Sequence, residues 1–224
     1  VQMKDFVHNL EREVNEARKK GEIPSLIEIA SAAMDKLEAA AGVSSGTLDE
    51  DQSLALRAAK RIGYNVAADV WPGWEVATPA RSDAELQSAQ TLAQRSCTLV
   101  DKLNQGAVEH GTAIWLIGAL YLARGMHEEA LEAFRAAAGF YADAPALKIL
   151  SEGYMAISRE SLSTSPAKGK AEFDSVIARL DELSSEDGKI FRDQLLVARQ
   201  VFATTRRASA GKLRPGFEPN TGAR

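Results

Sequence analysis

Thirty-eight of the 224 residues are alanine, about one in six. Alanine enters a helix without losing side-chain entropy, which makes it the strongest helix former. Aromatic residues make up only 6%, and the clusters of Val, Ile and Thr that typify strands are absent. Such a chain is expected to be all-α, with helices close enough for small side chains to fill the space between them.

The length suits one domain, at most two. A charged fraction of 26% and a hydrophobic fraction of 45% fit a folded chain rather than a disordered one. No run of about 18 apolar residues occurs, so no membrane span is expected. The net charge of -4 gives no whole-chain attraction to nucleic acid. Cys97 is the lone cysteine and cannot form an internal disulfide. The charge-dense first twenty residues show no secretion signal, and a cytoplasmic location is the default expectation.

Apolar residues recurring at three- and four-residue steps place helices along most of the chain. The first spans about Lys4 to Lys20 and stops at Gly21. The second begins at Pro24, and the third runs from Asp49 to Val70. The stretch Trp71 to Arg81 breaks the pattern with Pro72, Gly73 and Pro79. Ser82 and Glu85 form an S-x-x-E capping box that opens a fourth helix to about Leu103. Gly106 and Gly125 separate a fifth, Ala107 to Arg124, from its neighbours. A sixth spans His127 to Tyr141, a seventh Pro145 to Glu160 and an eighth Pro166 to Leu183. Asp187-Gly188 reads as a turn before a ninth from Lys189 to Arg206. Residues 208–224 read as a flexible basic tail.

Internal repetition decides between a closed bundle and an open stack of hairpins. Residues 111–143 contain Ile114-x2-Ile117-Gly118-x2-Tyr121 and then Ala130-x3-Phe134-x2-Ala137. This segment resembles the tetratricopeptide repeat, W-x2-L-G-x2-Y followed by A-x3-F and proline. Ile114 stands in place of the tryptophan, and Ala142 in place of the closing proline. Weaker units occupy 145–183 (Leu147-x2-Leu150-Ser151-x2-Tyr154, with Ala171 and Ala178 as the small contacts) and 56–103 (Ala59-x2-Ile62-Gly63-x2-Val66, then Ala89-x3-Ala93-x2-Ser96). The resemblance implies a right-handed superhelix of antiparallel helical hairpins over residues 1–207, closed by a C-terminal capping helix.

It also implies a concave groove that binds a peptide or protein segment. In this register the groove-facing positions are Arg57, Lys60, Tyr64 and Ala67, then Thr112, Trp115, Ala119 and Leu122, then Lys148, Glu152 and Met155. An aromatic, apolar and partly basic surface suits a segment with hydrophobic anchors and a carboxylate. Each position has a plainer alternative: Trp115 packed on a neighbouring helix, Arg57 and Lys60 on a solvated face, Met155 as core filler. The lysines lack the asparagines of the carboxylate clamp found in some members of the family. Trp71-Pro72-Gly73-Trp74 reads either as a lid over the groove or as a structural cap, and the aggregation hazard of bare tryptophans favours the cap.

Catalytic signatures are scarce. His8, His110 and His127 are dispersed, and no phosphate-binding glycine loop occurs. Cys97, in the middle of a helix, reads as an inert thiol, and Glu128, Glu129 and Glu132 as a solvated helix start. No catalytic residue, cofactor or metal ligand is assigned. The expected function is a non-catalytic scaffold or adaptor for a protein or peptide. A helical sensor of a small molecule and a self-assembling repeat module are the alternatives.

Overall fold

The computed structural model describes residues 2–42, 47–162, 164 and 166–212, with side chains to 202. Among these residues are nine α-helices and no strand. They are α1 Met3–Lys20, α2 Ile23–Ala41, α3 Glu50–Val70, α4 Asp83–Lys102, α5 Ala107–Ala123, α6 His127–Phe140, α7 Pro145–Ser161, α8 Pro166–Glu182 and α9 Glu186–Lys212. A single 3-10 turn, Pro72–Trp74, follows α3.

Local chemistry sets the helix ends. The Asp49 carboxylate accepts from the Gln52 backbone N–H at 2.8 Å, and the Gln52 amide oxygen accepts from the Asp49 N–H at 3.1 Å. The expected box at Ser82 is present in the same reciprocal form with Glu85. Gly125 is left-handed at φ 75°, which costs a residue without Cβ nothing. Its N–H bonds the Leu122 carbonyl while the Met126 N–H reaches Tyr121, closing α5 with a Schellman motif.

Two boundaries differ from the sequence reading. Asp187-Gly188 is no turn: α9 already begins at Glu186, where the Ser185 hydroxyl accepts from the Gly188 N–H at 3.0 Å and caps the helix. The helix also continues to Lys212, through a stretch containing Ala203, Ala208 and Ala210. The start of the expected tail is therefore helical, and 213–224 lie outside the described residues.

Each helix packs on the next in sequence, and α1 also meets α3, α2 meets α4, α3 meets α5, α5 meets α7 and α7 meets α9. The principal contacts between helices therefore join near neighbours in the chain. Small residues permit this. A Cβ on Gly118 would lie 3.0 Å from the Phe134 ring and 3.1 Å from the Ala133 methyl. One on Gly63 would lie 2.8 Å from Met34 and 3.0 Å from the Leu92 carbonyl. Ala89, Ala93 and Ser96 in α4, and Ala130, Phe134 and Ala137 in α6, are all buried.

In α8 the register is corrected. Ala171 and Ala178, expected as the small contacts, are exposed. Gly169, Phe173 and Val176 are buried instead, at the spacing that Ala130, Phe134 and Ala137 have in α6. Gly169 brings α8 onto the backbone of α7: a Cβ there would fall 2.2 Å from the Glu160 nitrogen. Arg199 then ties α9 to α7 and α8. It forms a two-point ion pair with Glu160 at 2.9 and 3.0 Å and lies 4.4 Å above the Phe173 ring.

Candidate binding groove

α3, α4 and α5 pack against one another. Between these three helices lies a groove of about 350 Å³. Arg57, Lys60, Tyr64 and Asn65 line it from α3, and Val108, Glu109 and Thr112 from α5. Ser96 and Val100 of α4 and Gln105 of the connection complete the wall. Four of the positions expected from the sequence, Arg57, Lys60, Tyr64 and Thr112, are thus brought together.

The polar groups are held by short bonds. The Lys60 ammonium donates to the Gln105 amide oxygen at 2.9 Å. Ser96 donates to the Lys60 carbonyl at 2.9 Å, fixing that turn of α3 to α4. The Tyr141 hydroxyl reaches Thr112 at 3.3 Å, and Thr112 donates to the Val108 carbonyl at 2.8 Å. Burial holds Lys60 below the usual lysine range; Glu109 opposes this shift, while Arg61 and Arg57 add to it. Burial, with Tyr141 nearby, pushes the Tyr64 phenol up to about 12, so it stays a neutral hydrogen-bonding group.

The charges in the groove do not balance. Arg61 pairs with Glu11 of α1. Arg57 and Lys60 have no ion pair among the described residues, and Glu109 is the one carboxylate in the wall. A locally positive, half-apolar recess therefore sits on a chain of net charge -4.

The other expected positions do not reach this groove. Trp115, Ala119 and Leu122 are 5%, 0% and 1% exposed, and Ala67 is fully buried. For Trp115 the reason is the Trp71–Trp74 turn, which folds back over α5. Trp71 lies edge-on to Trp115 at 5.5 Å between ring centroids, and Tyr154 of α7 lies 5.2 Å from Trp115. Phe202 of α9 closes on Trp71 at 6.2 Å. Trp71 is wholly buried, so the first tryptophan of the turn is a structural cap, while Trp74 stays 44% exposed.

On α7, Glu152 and Met155 of the expected stripe face α8. Glu152 pairs with Arg179, and Met155 lines a shallow depression with Arg159, Glu172 and Ser175. Lys148 is exposed outside both recesses. Of the lining residues, the sequence reading missed Arg61 and Asn65 of α3, Ser96 and Val100 of α4, Gln105 of the connection, and Val108, Glu109 and Ala113 of α5. The register carried over from the resemblance marks only helix faces, and Gln105 lies on a connection. Among the described residues, no group of three His, Cys, Asp or Glu side chains is placed to hold a metal ion, and no helix is long and apolar enough to cross a membrane.

No protein-family model, curated protein or solved structure matches the chain.

Proposed function

We propose that this chain is a tetratricopeptide-like, right-handed stack of hairpins that holds a short anionic segment of a partner protein in the α3–α5 groove. It works as a docking module without a reaction of its own. The observation that carries the reading is the convergence of Arg57 and Lys60, neither in an ion pair among the described residues, on a partly desolvated recess with apolar walls at Val100, Val108 and Ala113. A bound carboxylate offsets the burial cost of Lys60, and the apolar walls take its neighbours. The near-neighbour packing of the helices and the Gly118/Phe134 contact support the stack.

Fluorescence anisotropy with labelled acidic, neutral and basic peptides tests this. The acidic set binds, more weakly at high salt, and Arg57→Glu with Lys60→Glu abolishes binding while leaving the helical circular dichroism intact. Equal binding by all three sets, or binding indifferent to the double charge reversal, would sink the reading. A volume of about 350 Å³ also matches a small-molecule pocket. A thermal-shift screen of small organic acids tests that second reading, because a ligand of the folded state raises its melting temperature.

A further inference from the structure

The groove has a covered end. Its lining passes through Tyr64 on α3 and Thr112 on α5, and about one turn further along lie Ala68 and Trp115. The chain's own Trp74 sits over them. Its indole N–H donates to the Ala68 carbonyl at 2.7 Å, and its ring lies 6.3 Å from Trp115 and 4.7 Å from Trp71.

We propose that the seat beneath Trp74 is the second half of the partner site, and that it takes an aromatic side chain of the bound segment in exchange for Trp74. The proposal rests on the groove being the docking site for an anionic segment. Trp74 is held differently from Trp71. It is 44% exposed where Trp71 is wholly buried, and one hydrogen bond ties its side chain to α3. The connection after it gives slack, since Glu75, Val76, Ala77, Pro79 and Ala80 are all exposed. The Trp74 ring therefore swings out about its own side-chain bonds while Trp71 and the buried Gly73 stay packed.

The surface left behind is suited to a partner ring. Trp71 and Trp115 supply aromatic edges and faces, and both indole N–H groups are buried without an acceptor among the described residues. A buried donor left unsatisfied costs about 1–3 kcal/mol. A backbone carbonyl arriving beside the partner's ring can satisfy one of them.

Charge fixes the rest of the partner. Lys60 and Ala68 are eight helical residues apart, roughly 12 Å along α3 at about 1.5 Å per residue. An extended segment advances about 3.3 Å per residue and returns to the same face every second one. A carboxylate at Lys60 and a ring at the Trp74 seat are then about four residues apart in the partner.

Two capped five-residue peptides, Glu-Ser-Ala-Ser-Phe and Glu-Ser-Ala-Ser-Ala, with their reversed sequences, form the test. On the wild-type chain, one of the phenylalanine peptides binds more tightly than its alanine counterpart. It also shifts tryptophan emission to the red, because all three tryptophans lie in this one cluster and Trp74 is the ring expelled. Trp74→Ala removes the competitor. The phenylalanine peptide then binds about tenfold more tightly, as expected when a site blocked in about nine-tenths of molecules is freed, while the alanine peptide is unchanged. Trp74→Phe keeps a ring in the seat and serves as the folding control. Equal affinity for the phenylalanine and alanine peptides overturns the exchange and leaves the acidic groove standing. Failure of every acidic peptide overturns both. A concentration-dependent dimer that Trp74→Ala abolishes places another copy's Trp74 in the seat and overturns the partner assignment.

Discussion

Trp115 shows how much one side chain's surroundings matter. From the sequence it stands on a helix whose other residues at three- and four-residue steps are Thr112, Ala119 and Leu122, and an exposed or a buried ring fits that pattern equally well. The structure surrounds it with Trp71, Trp74, Phe134 and Tyr154. Truncating a large buried aromatic removes both its transfer free energy and its packing. Trp115→Ala is therefore expected to lower unfolding stability by about 3–5 kcal/mol, read from the urea midpoint. A variant with an unchanged midpoint would put the ring back on the surface. Gly118 and Ala130 were legible beforehand because close helix contact demands small residues, whatever the partner helix carries. In α8 the corresponding small residue, Gly169, was hidden by the longer connection, which moves the second helix out of register. Gly169-x3-Phe173 was present in the sequence as the signal that finds it.

At the scale of the element, α5 explains why the groove was only half predicted. Its apolar residues run all round the helix, from Ile114 through Leu122, so no single face announces itself as buried. Its entry is tied down by His110. One ring nitrogen faces the Gly106 carbonyl at 2.9 Å and the other faces the Asp101 carboxylate at 2.8 Å, while Phe140 stacks on the ring at 5.5 Å. Two oxygens facing two ring nitrogens favour the imidazolium, in which both nitrogens donate. The Gly106 hydrogen bond and then Asp101 raise the pKa of His110 above 6.5. The sign follows from linkage: the stabilisation is full below the unfolded value and is lost as pH rises through the higher folded one. The stability difference between wild type and His110→Gln is expected to shrink as pH climbs from below 6.5 past that folded value. Parallel pH profiles of the two melting temperatures would remove His110 from this role.

Across the whole molecule, helices that meet near neighbours would by themselves unfold in pieces, since each hairpin depends only on those beside it. The aromatic cluster counters this. Trp71 touches α5 through Trp115, α7 through Tyr154 and α9 through Phe202, and Gln194 of α9 bonds the buried Tyr154 hydroxyl at 3.0 Å. One turn of chain thus joins four alternate helices. Urea unfolding is expected to be a single transition, coincident by tryptophan emission and by helical circular dichroism. Two separated transitions would mean that the hairpins behave independently and that the cluster does not bind them together.

The helical class, most helix boundaries and the tight contact at Gly118 could be read directly because they depend on local preferences: alanine content, three- and four-residue periodicity, capping residues and glycine stops. Arg57, Lys60, Tyr64 and Thr112, which the fold gathers, are four of the positions that the resemblance marked. The rest depended on where a loop went. The turn after α3 folds back onto α5, buries the far end of the expected groove and leaves a short basic recess at the near end. That choice rests on contacts between Trp71 and residues up to 131 positions away in the chain. No periodicity within a single helix encodes a contact of that kind.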